Sequence, residues 1–272
     1  MSKRNSQAAK SAARERIRAQ QEAERKREKR KRGIIVGVSI VGVLAIAGGV
    51  GYAVMQSNKP GYWEEAKDAK LVKPANTSGT NGTTVVLGKE SAKKTLKVYE
   101  DPRCPVCAAF EQTVGPTVEK DMKDGKYKIE FIGATFLDRN IPGEGSRNAM
   151  SALGAALNVS DEAFLEYKKV LFSAKIHPSE QDDKFKDDSY LLKAADQVPD
   201  LKKNAAFKKA VKAGTYDRWA LEMSKKFDDN KDGVEGTPSF VMDGKQLTGP
   251  GSKNAPSTVE DYKTAIDKAL KG

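Results

Sequence analysis

Two cysteines and one histidine are all that this 272-residue chain offers to metal chemistry of the thiolate–imidazole kind. A structural zinc site takes four such ligands, and Cys104, Cys107 and His177 make only three. A structural cross-link between the two cysteines would be a poor choice. It closes so small a loop that little unfolded-state entropy is removed. The chain also lacks a phosphate-binding glycine loop, a serine-hydrolase elbow and an internal repeat. The pI near 9.4 would raise a nucleic-acid reading. However, most of the positive excess sits in one block without interleaved aromatics and the rest of the chain is near neutral, so no nucleic-acid partner is expected.

That block is the first 32 residues, with 13 Lys or Arg against four Glu. It holds +9 of the whole-chain +11, which leaves +2 for everything after it. Next comes Ile34 to Val54 without a charged residue. At 1.5 Å per residue this run reaches about 30 Å, the thickness of a bilayer core. The positive-inside bias puts residues 1–33 in the cytoplasm as a basic tail and makes 34–54 a single transmembrane helix. The rest would then be extracytoplasmic, in a single-pass protein of the cell membrane. The competing reading is a cleaved leader, with Ala45-Ile46-Ala47 as small residues before the cut. Both deliver the domain to the same side.

Residues 55–82 are polar and rich in Pro, Gly, Asn and Ser, which predicts a flexible linker; its Tyr62-Trp63 pair is open to docking onto the domain or to a place near the membrane interface. Sequons at Asn76, Asn81 and Asn158 matter only in a glycosylating host. The folded domain is expected over 83–272. Thr83–Leu87, Thr95–Glu100, Lys128–Ala134, Ser239–Met242 and Gln246-Leu247 read as strands, the last two joined by an Asp243-Gly244 hairpin turn. Val106, Phe110, Val114, Val118 and Met122 fall on one stripe of a helix that opens at the cysteines and kinks at Gly115-Pro116. A helical block over about 138–234 separates the third strand from the fourth, and a helix over about 258–270 ends the chain. Strands interleaved with helices argue an α/β layered domain.

Redox chemistry suits the Cys104-Pro105-Val106-Cys107 spacing. Cys104 falls at a helix N-cap and Pro105 at the first helical position, where its missing N–H costs nothing. The helix N-terminus stabilises thiolate over thiol, so Cys104 is the expected exposed nucleophile and Cys107, one turn on, the resolver. Asp101 and Glu100 would oppose the thiolate and Arg103 would favour it. Two features carry other readings: Asp228-x-Asn230-x-Asp232-Gly233 has the first half of a calcium loop but Ser239 at its twelfth position, and His177 reads as a surface loop residue.

A strand ending in Asp-x-x-Cys-Pro-x-Cys before a helix, followed much later by Gly236-Thr237-Pro238-Ser239-Phe240-Val241 and a hairpin, resembles the DsbA-like branch of the thioredoxin fold. The resemblance covers about Thr84 to Leu270. It implies a thioredoxin fold with an inserted helical subdomain, and a thiol–disulfide oxidoreductase. It further implies that Pro238 is a cis-proline beside the cysteines and that Thr237 contacts substrate. Pro105, Val106 and Asp101 would tune the site. No cofactor is implied beyond the redox-active disulfide Cys104–Cys107. The implied partners are cysteine-containing exported proteins and a membrane redox partner of DsbB or VKOR type. Two departures stand out. Val98 occupies the position where thioredoxin-fold enzymes commonly carry a buried carboxylate, leaving Glu100, Asp101 or water to serve Cys107. Val106 replaces the His of strongly oxidising relatives. An exported reductase or isomerase, and a membrane-tethered binding protein with an inert disulfide, remain as alternative readings.

Overall fold

The computed structural model describes residues 61–271 and Lys26. Apart from Lys26, the expected basic tail, the membrane segment and the first residues of the linker lie outside the described residues. Among the described residues no helix is long and apolar enough to cross a membrane.

Five strands form one sheet in the order β1-β3-β2-β4-β5, with β1 Val85–Leu87, β2 Thr95–Glu100, β3 Lys128–Gly133, β4 Ser239–Met242 and β5 Lys245–Gln246. β2 is central, parallel to β3 and antiparallel to β4. Its register sets Val98 opposite both Phe131 and Phe240. Val98 therefore lies in the apolar layer, 3% exposed, where an ionised carboxylate would be costly to bury. The β4–β5 turn puts Asp243 and Gly244 at φ 52° and 72°, the left-handed pair a type I′ hairpin requires.

The helix expected after the cysteines is two helices. The first, α2, runs Pro105–Thr113; the second, α3, runs Gly115–Asp124 and ends on Gly125 in the left-handed region. Pro116 has no N–H for the Gln112 carbonyl and its ring crowds that turn, so the chain restarts rather than bends. Phe110, Val114, Val118 and Met122 are buried as the stripe requires, but Val106 is 61% exposed. It sits in the first turn of α2 and leaves the buried stripe to the four residues after it.

Between β3 and β4 the chain is helical: α4 Leu137–Asn140, α5 Gly145–Leu157, α6 Asp161–Phe172, α7 Asp188–Ala195, α8 Pro199–Lys202, α9 Ala205–Lys212 and α10 Asp217–Asp228. Ser160 and Asn204 cap α6 and α9 by accepting from Ala163 N–H and Phe207 N–H. Trp219 is fully buried with its ring against Gly154, where a Cβ would come within 2.7 Å. The last helix, α11, spans Val259–Lys271 and contributes Tyr262 and Ile266 to the core.

The linker expectation is corrected from Tyr62 onward. Tyr62–Asp68 is a helix, α1, with Trp63 and Ala66 buried. The Tyr62 hydroxyl donates to Asp217 at 2.5 Å, and Arg147 lies over the Trp63 ring at 5.2 Å. Leu71 and Val72 pack on the core, and Ser78 bridges to Thr84. One buried Trp and a few hydrogen bonds suffice to dock a segment whose composition alone could not fill a core. The three sequon asparagines have the same use: Asn76 donates to the Leu157 carbonyl, Asn81 donates to Glu222, and Asn158 accepts from Ala75 N–H.

Candidate functional site

β2 ends at Glu100, a tight turn spans Asp101–Cys104, and α2 starts at Pro105. Cys104 is the N-cap, and its sulfur accepts from Cys107 N–H at 3.3 Å. Both cysteines are free thiols. The Cys104 thiol is pushed down to about 6, first by the hydrogen bond from the Cys107 thiol and then by the backbone N–H groups of the helix start. Cys107 moves the other way, well above an ordinary thiol, because it is completely buried and faces Cys104. The pair therefore splits into an ionised outer sulfur and a protonated inner one. Cys104 is nonetheless only 5% exposed, not the open nucleophile expected.

What covers it is the loop before β4. The Thr237–Pro238 bond is cis, and the Thr237 carbonyl lies 3.5 Å from the Cys104 sulfur, a hydrogen bond that the thiol donates and the thiolate gives up. The structure thus brings together Cys104, Cys107, Pro105, Thr237 and Pro238 from opposite ends of the domain. The Thr237 hydroxyl oxygen is buried without a partner. Beside it opens a groove of about 980 Å³, walled by Val106, Ala109 and Thr113 of α2 on one side and by the 249–257 loop on the other. Val106 thus projects at the mouth of the groove rather than into the core.

Behind the cysteines lies a buried ionic group that the sequence reading missed. Lys168 of α6 donates to Glu100 and contacts Glu111, each at 2.8 Å, in a site where Glu100 is wholly buried. Burial pushes Glu100 up to about 8, while the two carboxylates raise Lys168. One Glu100 oxygen has no hydrogen-bond partner, and the carboxyl is near enough to Cys107 to help raise it. The signal was present: Lys168 sits four residues from both Phe164 and Phe172, a lone cation on an apolar stripe.

Three other expectations change. The Arg103 guanidinium turns away from the thiol and pairs with Asp138 at 2.8 Å, 3% exposed. Asp101 is buried beneath the turn; burial pushes it up to about 7, and it accepts from Ser146, Arg103 N–H and Leu137 N–H. His177 is not a free surface residue: it stacks on Phe172 and contacts the Pro102 carbonyl at 3.1 Å. In the loop with calcium-like spacing, Asp232 instead accepts from Lys97 and Tyr99, and Asn230 caps the turn.

Residues 80–268 match the family described as thioredoxin. Over 88 residues the chain is 32% identical to disulfide bond formation protein D of Bacillus subtilis, which covers 32% of this chain and 37% of that relative's length. Its fold is similar to that of oxidised BdbD from Bacillus subtilis, with TM-score 0.55, 20% identity, and 74% of this chain and 100% of that chain covered. It is also similar to that of reduced DsbA from Mycobacterium tuberculosis, with TM-score 0.54, 23% identity, and coverage of 70% and 98%. At these identities the structural likeness is one of fold.

Proposed function

Because the chain belongs to the thioredoxin family, we propose that it is a membrane-anchored, extracytoplasmic thiol–disulfide oxidoreductase of DsbA type that introduces disulfides into exported proteins. The observation that carries this reading is the Cys104 sulfur, held between Cys107 N–H and the cis Thr237–Pro238 loop and pushed down to about 6. A thiolate stabilised in the reduced protein favours reduction of its own disulfide, and so oxidation of a client.

In that direction the oxidised pair is attacked at Cys104 by a client thiolate. A client–Cys104 disulfide forms, the Cys104–Cys107 bond breaks, and Cys107 leaves with the electron pair and takes a proton. A second client thiolate then attacks its own partner sulfur, releasing Cys104 as the stabilised thiolate. The client loses two electrons and the protein gains them. Glu100, buried and pushed up to about 8, is the proton source beside Cys107, in the role that Val98 cannot play. Thr237 and Pro238 hold the client chain at the groove, and Asp101, Pro105 and Val106 set the local field at the turn and helix start.

Support for the membrane side comes from the sequence alone: 13 basic residues followed by 21 uncharged positions, Ile34 to Val54. Disulfides persist outside the cytoplasm, where an exported oxidase would make them. Sustained turnover calls for a membrane oxidant of DsbB or VKOR type to reclose the pair. The test is Cys107→Ser in the full-length protein. Exported clients should accumulate as mixed disulfides on Cys104, and Cys104→Ser should abolish them. Their absence, with an ordinary Cys104 thiol, would point to the tethered binding protein instead. Trapping with poor oxidase activity would point to the reductase or isomerase.

A further inference from the structure

Every residue of the turn that leads into Cys104 is held by the helical insertion. Asp101 accepts from Leu137 N–H at 3.1 Å and from the Ser146 hydroxyl at 2.5 Å. The Pro102 carbonyl meets His177 Nε2, whose ring is fixed between Phe172 and Phe185. Arg103 is held most completely. It donates to Asp138 at 2.8 Å and to the Ile141 and Glu180 carbonyls at 3.3 Å, and its Nε lies 3.4 Å from Asp183.

The same two aspartates cap the start of α5. Asp138 accepts from Ser146 N–H and Arg147 N–H, and Asp183 from Glu144 N–H and Gly145 N–H. Four N–H groups at a helix N-terminus and one guanidinium therefore share two carboxylates, with Arg147 Nε added on Asp138 at 3.1 Å. A buried ion pair adds little stability compared with apolar packing, but its geometry is demanding, since the guanidinium fork accepts few arrangements. Such an arrangement sits one residue before the nucleophile.

We propose that Arg103 is a positioning residue: through Asp138 and Asp183 it fixes the Asp101–Cys104 turn so that the Cys104 sulfur meets Cys107 N–H. The inference rests on the oxidoreductase reading and adds that the reactivity of Cys104 depends on the docked insertion. A direct electrostatic role for Arg103 makes different predictions. If the guanidinium acted by charge, its removal would raise the Cys104 pKa, while Asp138→Asn and Asp183→Asn would lower it. If it acts by position, all of these changes loosen the turn and raise the pKa. Arg103→Lys separates the two further, because it keeps the charge and loses the fork.

The experiment is thiolate ultraviolet absorbance against pH in the reduced full-length protein and in the Arg103→Lys, Asp138→Asn and Asp183→Asn variants, with near-ultraviolet circular dichroism to confirm folding. Cys107 titrates far above Cys104, so the first transition belongs to Cys104. The expected result is a rise of about one pH unit in each variant, about tenfold in the thiolate-to-thiol ratio. Should Asp138→Asn fail to fold, Arg103→Lys and the more peripheral Asp183→Asn decide the question alone. A depressed wild-type pKa with unchanged Arg103→Lys, or with aspartate variants that titrate lower, overturns the positioning role and leaves the redox reading intact. An ordinary wild-type pKa removes both.

Discussion

Changing pH should alter the stability of the reduced protein and leave that of the oxidised protein nearly untouched by Cys104. The folded Cys104 thiol lies at about 6 and an unfolded one at about 9.0. A group whose folded pKa is depressed contributes stability above its unfolded pKa and loses it as pH falls through the folded pKa. The window therefore runs from about pH 9 down to about pH 6. Within it the slope approaches 1.4 kcal/mol per pH unit, so the reduced form should gain about 2 kcal/mol between pH 6 and pH 8. Asp101 and Glu100 also titrate in this range, pushed up by burial to about 7 and about 8. Their contributions are present in both redox forms, and taking the reduced-minus-oxidised difference removes most of them. The assay is denaturant unfolding of both forms at several pH values, read as that difference. A difference that stays flat from pH 6 to pH 8 would refute the claim that the N-terminus of α2 and the Cys107 thiol stabilise a Cys104 thiolate.

Other outcomes follow from the same structure. Val106→His places an imidazole at an exposed position on the first turn of α2; below pH 6 its charge should lower the Cys104 pKa by about half a unit, measured by thiolate absorbance. Gly154→Ala drives a methyl group into the Trp219 ring and should cost about 1–3 kcal/mol, seen as a lower denaturation midpoint. Trp63→Ala should cost about 3 kcal/mol, because Trp63 is 4% exposed under Arg147; a flexible linker would show no change.

Much of the domain was legible because its signals are local. The alternation of Leu96 and Val98 with Lys97 marks β2, and Asp243-Gly244 needs left-handed backbone that only a tight hairpin uses. The Cys-Pro-x-Cys spacing places an N-cap and a first-turn proline, and both are found there. What escaped depends on contacts between distant segments. No local feature of Tyr62–Asp68 reveals that Trp63 has a pocket and Tyr62 a carboxylate 155 residues away. In sequence Arg103 reads as a charge favouring the thiolate, but that reading depends on contacts with Asp138 and Asp183, which take up its charge. Lys168 lies between these cases: its place on the apolar stripe of α6 announced a buried partner, but Glu100 and Glu111 could be named only in three dimensions.

Disulfide transfer itself tests the central claim most directly. Oxidised full-length protein, mixed with a reduced two-cysteine peptide, should pass one disulfide per molecule to the peptide and emerge with Cys104 and Cys107 reduced, far faster than the uncatalysed exchange. Transfer no faster than background, or equal transfer by Cys104→Ser, would contradict it.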